Sequence, residues 1–190
     1  MDNVINESNK IIYTGKILHL DGDRKYSEKS KMFYQKMGVN AIVRNISENR
    51  QANYVESLIE KYNPDILVVT GHDKMIRLGR DYNDIYNYKN SKYFIQTVKN
   101  ARKTKRKDLV IFAGACQSYY EAIMSAGANF ASSPARILID FKDPLIVASK
   151  VALTDEKKYL TINDIEEELR DGERGINGIG AQGKKKIITL

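Results

Sequence analysis

The chain has 190 residues, 31 Lys and Arg against 24 Asp and Glu, two His and one Cys. That length fits one compact α/β domain, and 42% hydrophobic with 29% charged residues excludes global disorder. A single cysteine excludes an intrachain disulfide framework and a Cys-rich zinc site, and the net charge of +7 permits polyanion contact without requiring it.

The N-terminus, MDNVINESNK, lacks the basic-then-apolar order of a signal peptide. No run approaches the ~18 apolar residues of a membrane span, so a cytoplasmic chain without a membrane partner is expected. Lys16 to Leu20 reads as a first strand, ending in the turn Asp21-Gly22-Asp23. Ser27 to Met37 follows with helical spacing, and Gly38 suits its C-cap. Val39 to Val43 is a second strand, and Ala52 to Tyr62 a second helix stopped by Asn63-Pro64-Asp65. Ile66 to Thr70 (ILVVT) is the most β-branched run and predicts a central strand buried on both faces.

That strand runs into Gly71-His72-Asp73. A tyrosine-rich stretch from Lys74 to Lys89 follows, then a helix from Lys92 to Arg102 and the basic run to Lys107. Leu109 to Ala113 is a fourth strand, ending in Gly114-Ala115-Cys116-Gln117-Ser118 and leading directly into a helix from Tyr119 to Ala126. Ala128 to Ala131 and Arg136 to Ile139 are shorter strand candidates. Helices are expected from Asp143 to about Val151 and from Ile162 to Leu169. The glycine-rich end from Gly172, with Lys184 to Lys186, reads as a flexible tail of a single domain. Short apolar runs alternating with amphipathic stretches predict a doubly wound, mainly parallel sheet covered on both faces by helices.

The two least ordinary residues each fall just beyond the carboxyl end of a central strand, where ligands bind in such sheets. Cys116 follows a sharp strand-to-helix turn, close to backbone N–H groups and a positive helix end that favour a thiolate. His72 would be its base, and the chemistry of such a pair is acyl transfer. Against this stands the ordinary reading of a lone Cys as a small buried residue. His19, inside the first strand, reads as structural. Backbone N–H groups around Gly71, Asp73 and Cys116 are the natural oxyanion donors.

A strand ending at Gly-His followed by a neighbouring strand ending at Ala-Cys resembles the motif order of caspase-like cysteine proteases. Glutamine amidotransferase-like hydrolases carry the Cys first, so the order disfavours them. The strings KILHLDGD, PDILVVTGHD, NSKYF, DLVIFAGACQSYYEAI, GANFASSP and GINGIG together resemble the YabG-type sporulation proteases of endospore-forming bacteria, over roughly residues 15 to 180. The resemblance implies a cysteine protease of the mother cell, without a cofactor, that processes spore coat and cortex-associated proteins after basic residues, chiefly Arg. By motif match its His and Cys fall on His72 and Cys116. Family members are expected to carry a further β-rich segment ahead of this region.

A preference for Arg needs a carboxylate in fork geometry. With strand order 2-1-3-4, Asp21 and Asp23 reach the same mouth as His72, and Asp23 is the first choice for the acid that binds the substrate Arg. A Mg²⁺ site and an ordinary Asp-Gly-Asp turn are the alternatives. Asp73 could line the pocket or orient His72, and Asp140 is a further pocket candidate. Self-cleavage would fall at Arg102, Arg106, Arg170 or Arg174, although a solvated face also accounts for the basic run. Tyr82, Tyr86, Tyr88 and Tyr93 could wall a peptide groove or sit half buried beneath the long loop.

Two non-enzymatic readings compete: a flavodoxin-like module binding a nucleotide or phosphate at the same strand ends, and a basic scaffold recruited by charge. No Gly-x-Gly-x-x-Gly or P-loop pattern follows a strand, so the first lacks its motif, and nucleic acid is not expected as a partner. An oligomer is compatible with the sequence.

Overall fold

The computed structural model describes residues 4–6 and 9–190. In chain order the strands and α-helices are β1 (Val4–Asn6), β2 (Lys10–Tyr13), β3 (Ile17–Asp21), α1 (Arg24–Met37), β4 (Ala41–Asn45), α2 (Glu48–Tyr62), β5 (Ile66–Thr70), α3 (Ser91–Lys103), β6 (Val110–Ala113), α4 (Tyr120–Ser125), β7 (Phe130–Ser132), α5 (Lys142–Leu153), β8 (Tyr159–Leu160), β9 (Ile176–Gly178), β10 (Ala181–Gln182) and β11 (Lys186–Thr189). The main sheet has the order β4-β3-β5-β6-β7-β9. Its first five strands are parallel and β9 closes the far edge antiparallel. The chain is therefore an α/β protein with the doubly wound topology that the alternation of runs predicts. The first crossover leads outward to β4 and the second returns past β3 to β5, so the winding reverses between β3 and β5. This is the crevice where such sheets bind ligands.

Two apolar layers hold the sheet. Because strand side chains alternate, Ile17 and Val68 pack with Tyr34 of α1 and Leu145 and Val151 of α5 on one face. Leu18, Leu20, Leu67 and Val69 pack on the other, against Val55 and Ile59 of α2 and Phe94 and Val98 of α3. β3, β5 and β6 are buried along their whole length, as continuous apolar strands of a covered parallel sheet should be. His19 falls in the α1 and α5 layer by the same alternation.

Several expectations are corrected. The first helix starts at Arg24 rather than Ser27, because the Asp23 side chain caps it by accepting the Tyr26 N–H at 3.0 Å. Residues 136–139 form no strand. Arg136 has a φ of 56°, outside the β region, and the segment runs irregularly past the sheet's carboxyl edge. The helix expected from Ile162 to Leu169 is two short 3₁₀ turns, Ile162–Asp164 and Glu166–Glu168.

The glycine-rich tail is built into the fold. β9 pairs with β7, β10 with β8, and β11 with β2. Its glycines serve close approach rather than mobility: a Cβ on Gly178 would stand 2.1 Å from the Asn129 carbonyl oxygen.

Candidate functional site

Three strand ends meet at the winding reversal. β3 ends at Asp21, β5 at Thr70 and β6 at Ala113, and the turn after β3 is fastened to β5 by a Gly22 N–H to Thr70 carbonyl bond of 3.1 Å. His72 is held at its backbone from two sides. Its N–H donates to Glu48 Oε1 at 2.7 Å, and its carbonyl accepts from Asn90 Nδ2 at 2.7 Å. The Glu48 carboxylate fits between Gly22 and Gly71, where a Cβ on Gly71 would lie 2.4 Å from Glu48 Oε1. Glycine is needed at Gly71 for that approach. The ring then meets Asp23 through Nε2 and Oδ2 at 2.7 Å, with the Tyr26 ring edge-on at 6.1 Å. The hydrogen bond to His72 holds the Asp23 carboxyl below the usual carboxylate range.

Cys116 sits in a turn closed by a Ser118 N–H to Ala115 carbonyl bond, with Gln117 at a φ of 56°. Helix α4 begins only at Tyr120 and spans six residues, so Cys116 does not occupy a helix end as expected. Its sulfur is supported instead by the Ile139 N–H, which donates to Sγ at 3.4 Å. Among the described residues the Cys116 N–H has no protein acceptor, so it remains available to an oxyanion.

His72 and Cys116 line one cavity of about 120 Å³, together with His19, Asp21, Ile139 and Phe141. Beneath it lies a buried polar chain. Tyr34 OH meets His19 Nδ1 at 3.0 Å, His19 Nε2 meets Thr70 Oγ1 at 2.6 Å, and Thr70 donates to Asp21 Oδ2 at 2.6 Å. Since the Thr70 hydroxyl has one proton and gives it to Asp21, the chain is satisfied with His19 neutral and protonated on Nε2. Burial lowers His19 to about 3 and raises the Asp21 carboxyl above its ordinary range.

The other candidates fall elsewhere. Asp73 turns away from His72: its carboxylate accepts from Lys74 N, Asn90 N and the Ser91 and Ser118 hydroxyls, so it neither lines the cavity nor orients the ring. Asp140 accepts from Lys142 N, and only its neighbours Ile139 and Phe141 line the cavity. Arg102 donates to the Gly127 and Leu109 carbonyls and to Asn129, and Arg106 to Asn63, Asp65 and Asp108. Both basic side chains are built into the fold. Arg170 reaches the Leu138 carbonyl and Asp171, while Arg174 is exposed at the end of a 3₁₀ turn.

Sequence reasoning missed two residues. Glu48 opens α2 like any acidic N-terminal residue, and nothing local announces that it meets Gly71 and His72. Arg136 is 7% exposed, paired with Glu121 and Tyr88 OH, and lies over the rings of Tyr82, Tyr88 and Tyr119. The stacked Tyr88 and Tyr119 thus cage an arginine of the chain itself rather than wall a groove. The signal available was an arginine inside the otherwise apolar string PARILI.

Fold and site together define a doubly wound α/β protein with a histidine and a cysteine on adjacent strand ends, facing one cavity over a buried carboxyl. The chain belongs to the YabG peptidase U57 family, whose model matches residues 2–189. It is 40% identical over 175 residues to the sporulation-specific protease YabG of Bacillus subtilis (strain 168), an alignment covering 91% of this chain and 60% of that protein. The chain thus spans 60% of that relative's length. A chain described as a response regulator, from Chloroflexus aurantiacus J-10-fl, shares 17% identity at a TM-score of 0.41, over 70% of this chain and 93% of its own.

Proposed function

We propose that this chain is a cysteine endopeptidase of sporulation that cleaves after basic residues, Arg first, in spore coat and cortex-associated proteins of the mother cell. The observation that supports it most is the shared cavity of His72 and Cys116 at the winding reversal. The thiolate attacks the scissile carbonyl carbon and a C–S bond forms. The oxyanion falls to the Cys116 N–H, with Gly71 close by. On collapse the C–N bond breaks, and the imidazolium returns the thiol's proton to the leaving amine. Water, deprotonated by His72, then hydrolyses the thioester and restores the thiol.

Asp21 is the carboxyl that lines this cavity, which favours it over Asp23 as the partner of a substrate guanidinium. The cation would offset the burial that raises Asp21. An acid at this position suits Arg better than Lys, because only the planar guanidinium bonds in fork geometry.

Cys116→Ala and His72→Ala should each abolish cleavage of Arg-containing peptides while circular dichroism and melting stay near those of the parent. An Arg-chloromethyl ketone should label Cys116. Full turnover by the Cys116→Ala protein would remove this reading.

A further inference from the structure

We infer that Asp23 is a positioning residue of the His72/Cys116 pair and not the acid of an arginine pocket: it fixes the imidazole through Nε2 and leaves Nδ1 for Cys116. The inference rests on the dyad proposed above and concerns how the dyad is held. Asp23 Oδ2 stands 2.7 Å from His72 Nε2, while Oδ1 accepts the Tyr26 N–H and the Asp23 carbonyl accepts from Ser27 N and Oγ. The carboxylate is thereby fixed to the first turn of α1, a 14-residue helix, and aimed at the ring. The Asp23 N–H also donates to Asp21 Oδ1 at 2.7 Å, which ties the positioning carboxylate to the one lining the cavity. Asp23 is not among the residues that line that cavity, whereas Asp21 is.

The other groups around His72 leave this role to Asp23. Glu48, from α2, takes the backbone N–H and not the ring. Tyr26, from α1, offers a ring edge. Asp21, from β3, accepts from Thr70 and the Asp23 N–H and makes no bond to the ring. Asp73 is consumed by Ser91 and Ser118. Cys116 remains across the cavity, and among the described residues nothing bonds His72 Nδ1. A carboxylate on Nε2 stabilises the imidazolium that forms when the thiol gives up its proton. The same bond stops the ring from flipping.

Asp23→Asn separates this role from helix capping, because Asn caps as well as Asp and keeps a side-chain oxygen for Tyr26. On the full chain, kcat for an Arg peptide should fall about 100-fold at little-changed KM, and by the same factor for the matching Lys peptide. The rate of Cys116 alkylation by iodoacetamide, which needs no substrate pocket, should reach its half-maximum about one pH unit higher than in the parent. A raised KM confined to the Arg peptide, with kcat and the alkylation profile unchanged, would overturn the inference and return Asp23 to the pocket. An altered profile in His72→Ala beside an unaltered one in Asp23→Asn would overturn it while leaving the dyad standing. A His72→Ala profile identical to the parent's would remove the dyad and this inference together.

Discussion

His19 shows how a histidine can serve a site without doing chemistry in it. It is 1% exposed, satisfied at both ring nitrogens, and lowered to about 3 by burial from an ordinary 6.5. The folded ring is therefore neutral throughout the window from 6.5 down to about 3, while the unfolded ring takes up a proton. Its contribution to stability is complete above that window and is lost as pH falls through it, at up to about 1.4 kcal/mol per pH unit. His19→Gln should flatten that acid slope relative to the parent in urea titrations across the window. An unchanged slope would contradict the assignment of a neutral buried ring. His72 and Cys116 were legible in the sequence because an apolar strand running into Gly-His or Gly-Ala-Cys places the next side chain at the sheet's mouth. The role of Asp23 was not legible. Asp-Gly-Asp serves a turn, a pocket or a cap equally well, and only the fold shows one Asp23 oxygen capping α1 at Tyr26 while the other stands 2.7 Å from His72.

The same contrast holds among the elements. β5 was legible to the residue, since Ile-Leu-Val-Val-Thr between Pro64-Asp65 and Gly71 has no competing period. β9 was hidden because Ile-Asn-Gly has three residues, one of them apolar, and its stability comes from the β7 partner far back in the chain. Local propensity carries no record of such a partner. The β7–β9 contact is also the tightest backbone approach among the glycines of the tail. Gly178→Ala would press a methyl group against the Asn129 carbonyl and Phe130 Cα, at 2.1 and 2.8 Å. The variant should lose about 2–4 kcal/mol in urea unfolding, the range of severe steric insertions. A loss below ~0.5 kcal/mol would mean that β9 is not held there.

At the scale of the whole molecule, the single cysteine and the net charge of +7 have separate consequences. The cysteine lies beyond β6, one strand from the winding reversal, while the basic residues are dispersed. Arg102, Arg106 and Arg136 hold carbonyls, carboxylates and tyrosines within the fold, and Lys184 bridges to Asp108. A chain cut after Asp171 loses β9, β10 and β11, and should unfold without a sharp cooperative transition when followed by circular dichroism. Retention of a sharp transition would show that the edge strands are dispensable. The segment behind Cys116 is fastened to this same region: Ser133 N–H donates to the Gly175 carbonyl at 2.6 Å, Ala135 N–H to the Arg174 carbonyl at 3.3 Å, and Arg170 reaches the Leu138 carbonyl. Ile139, whose N–H supports the Cys116 sulfur, ends that segment. During synthesis Cys116 therefore leaves the ribosome well before residues 170–175, which tie down its backing. Until then the segment that ends at Ile139 lacks these ties, and the wall behind the Cys116 sulfur is incomplete.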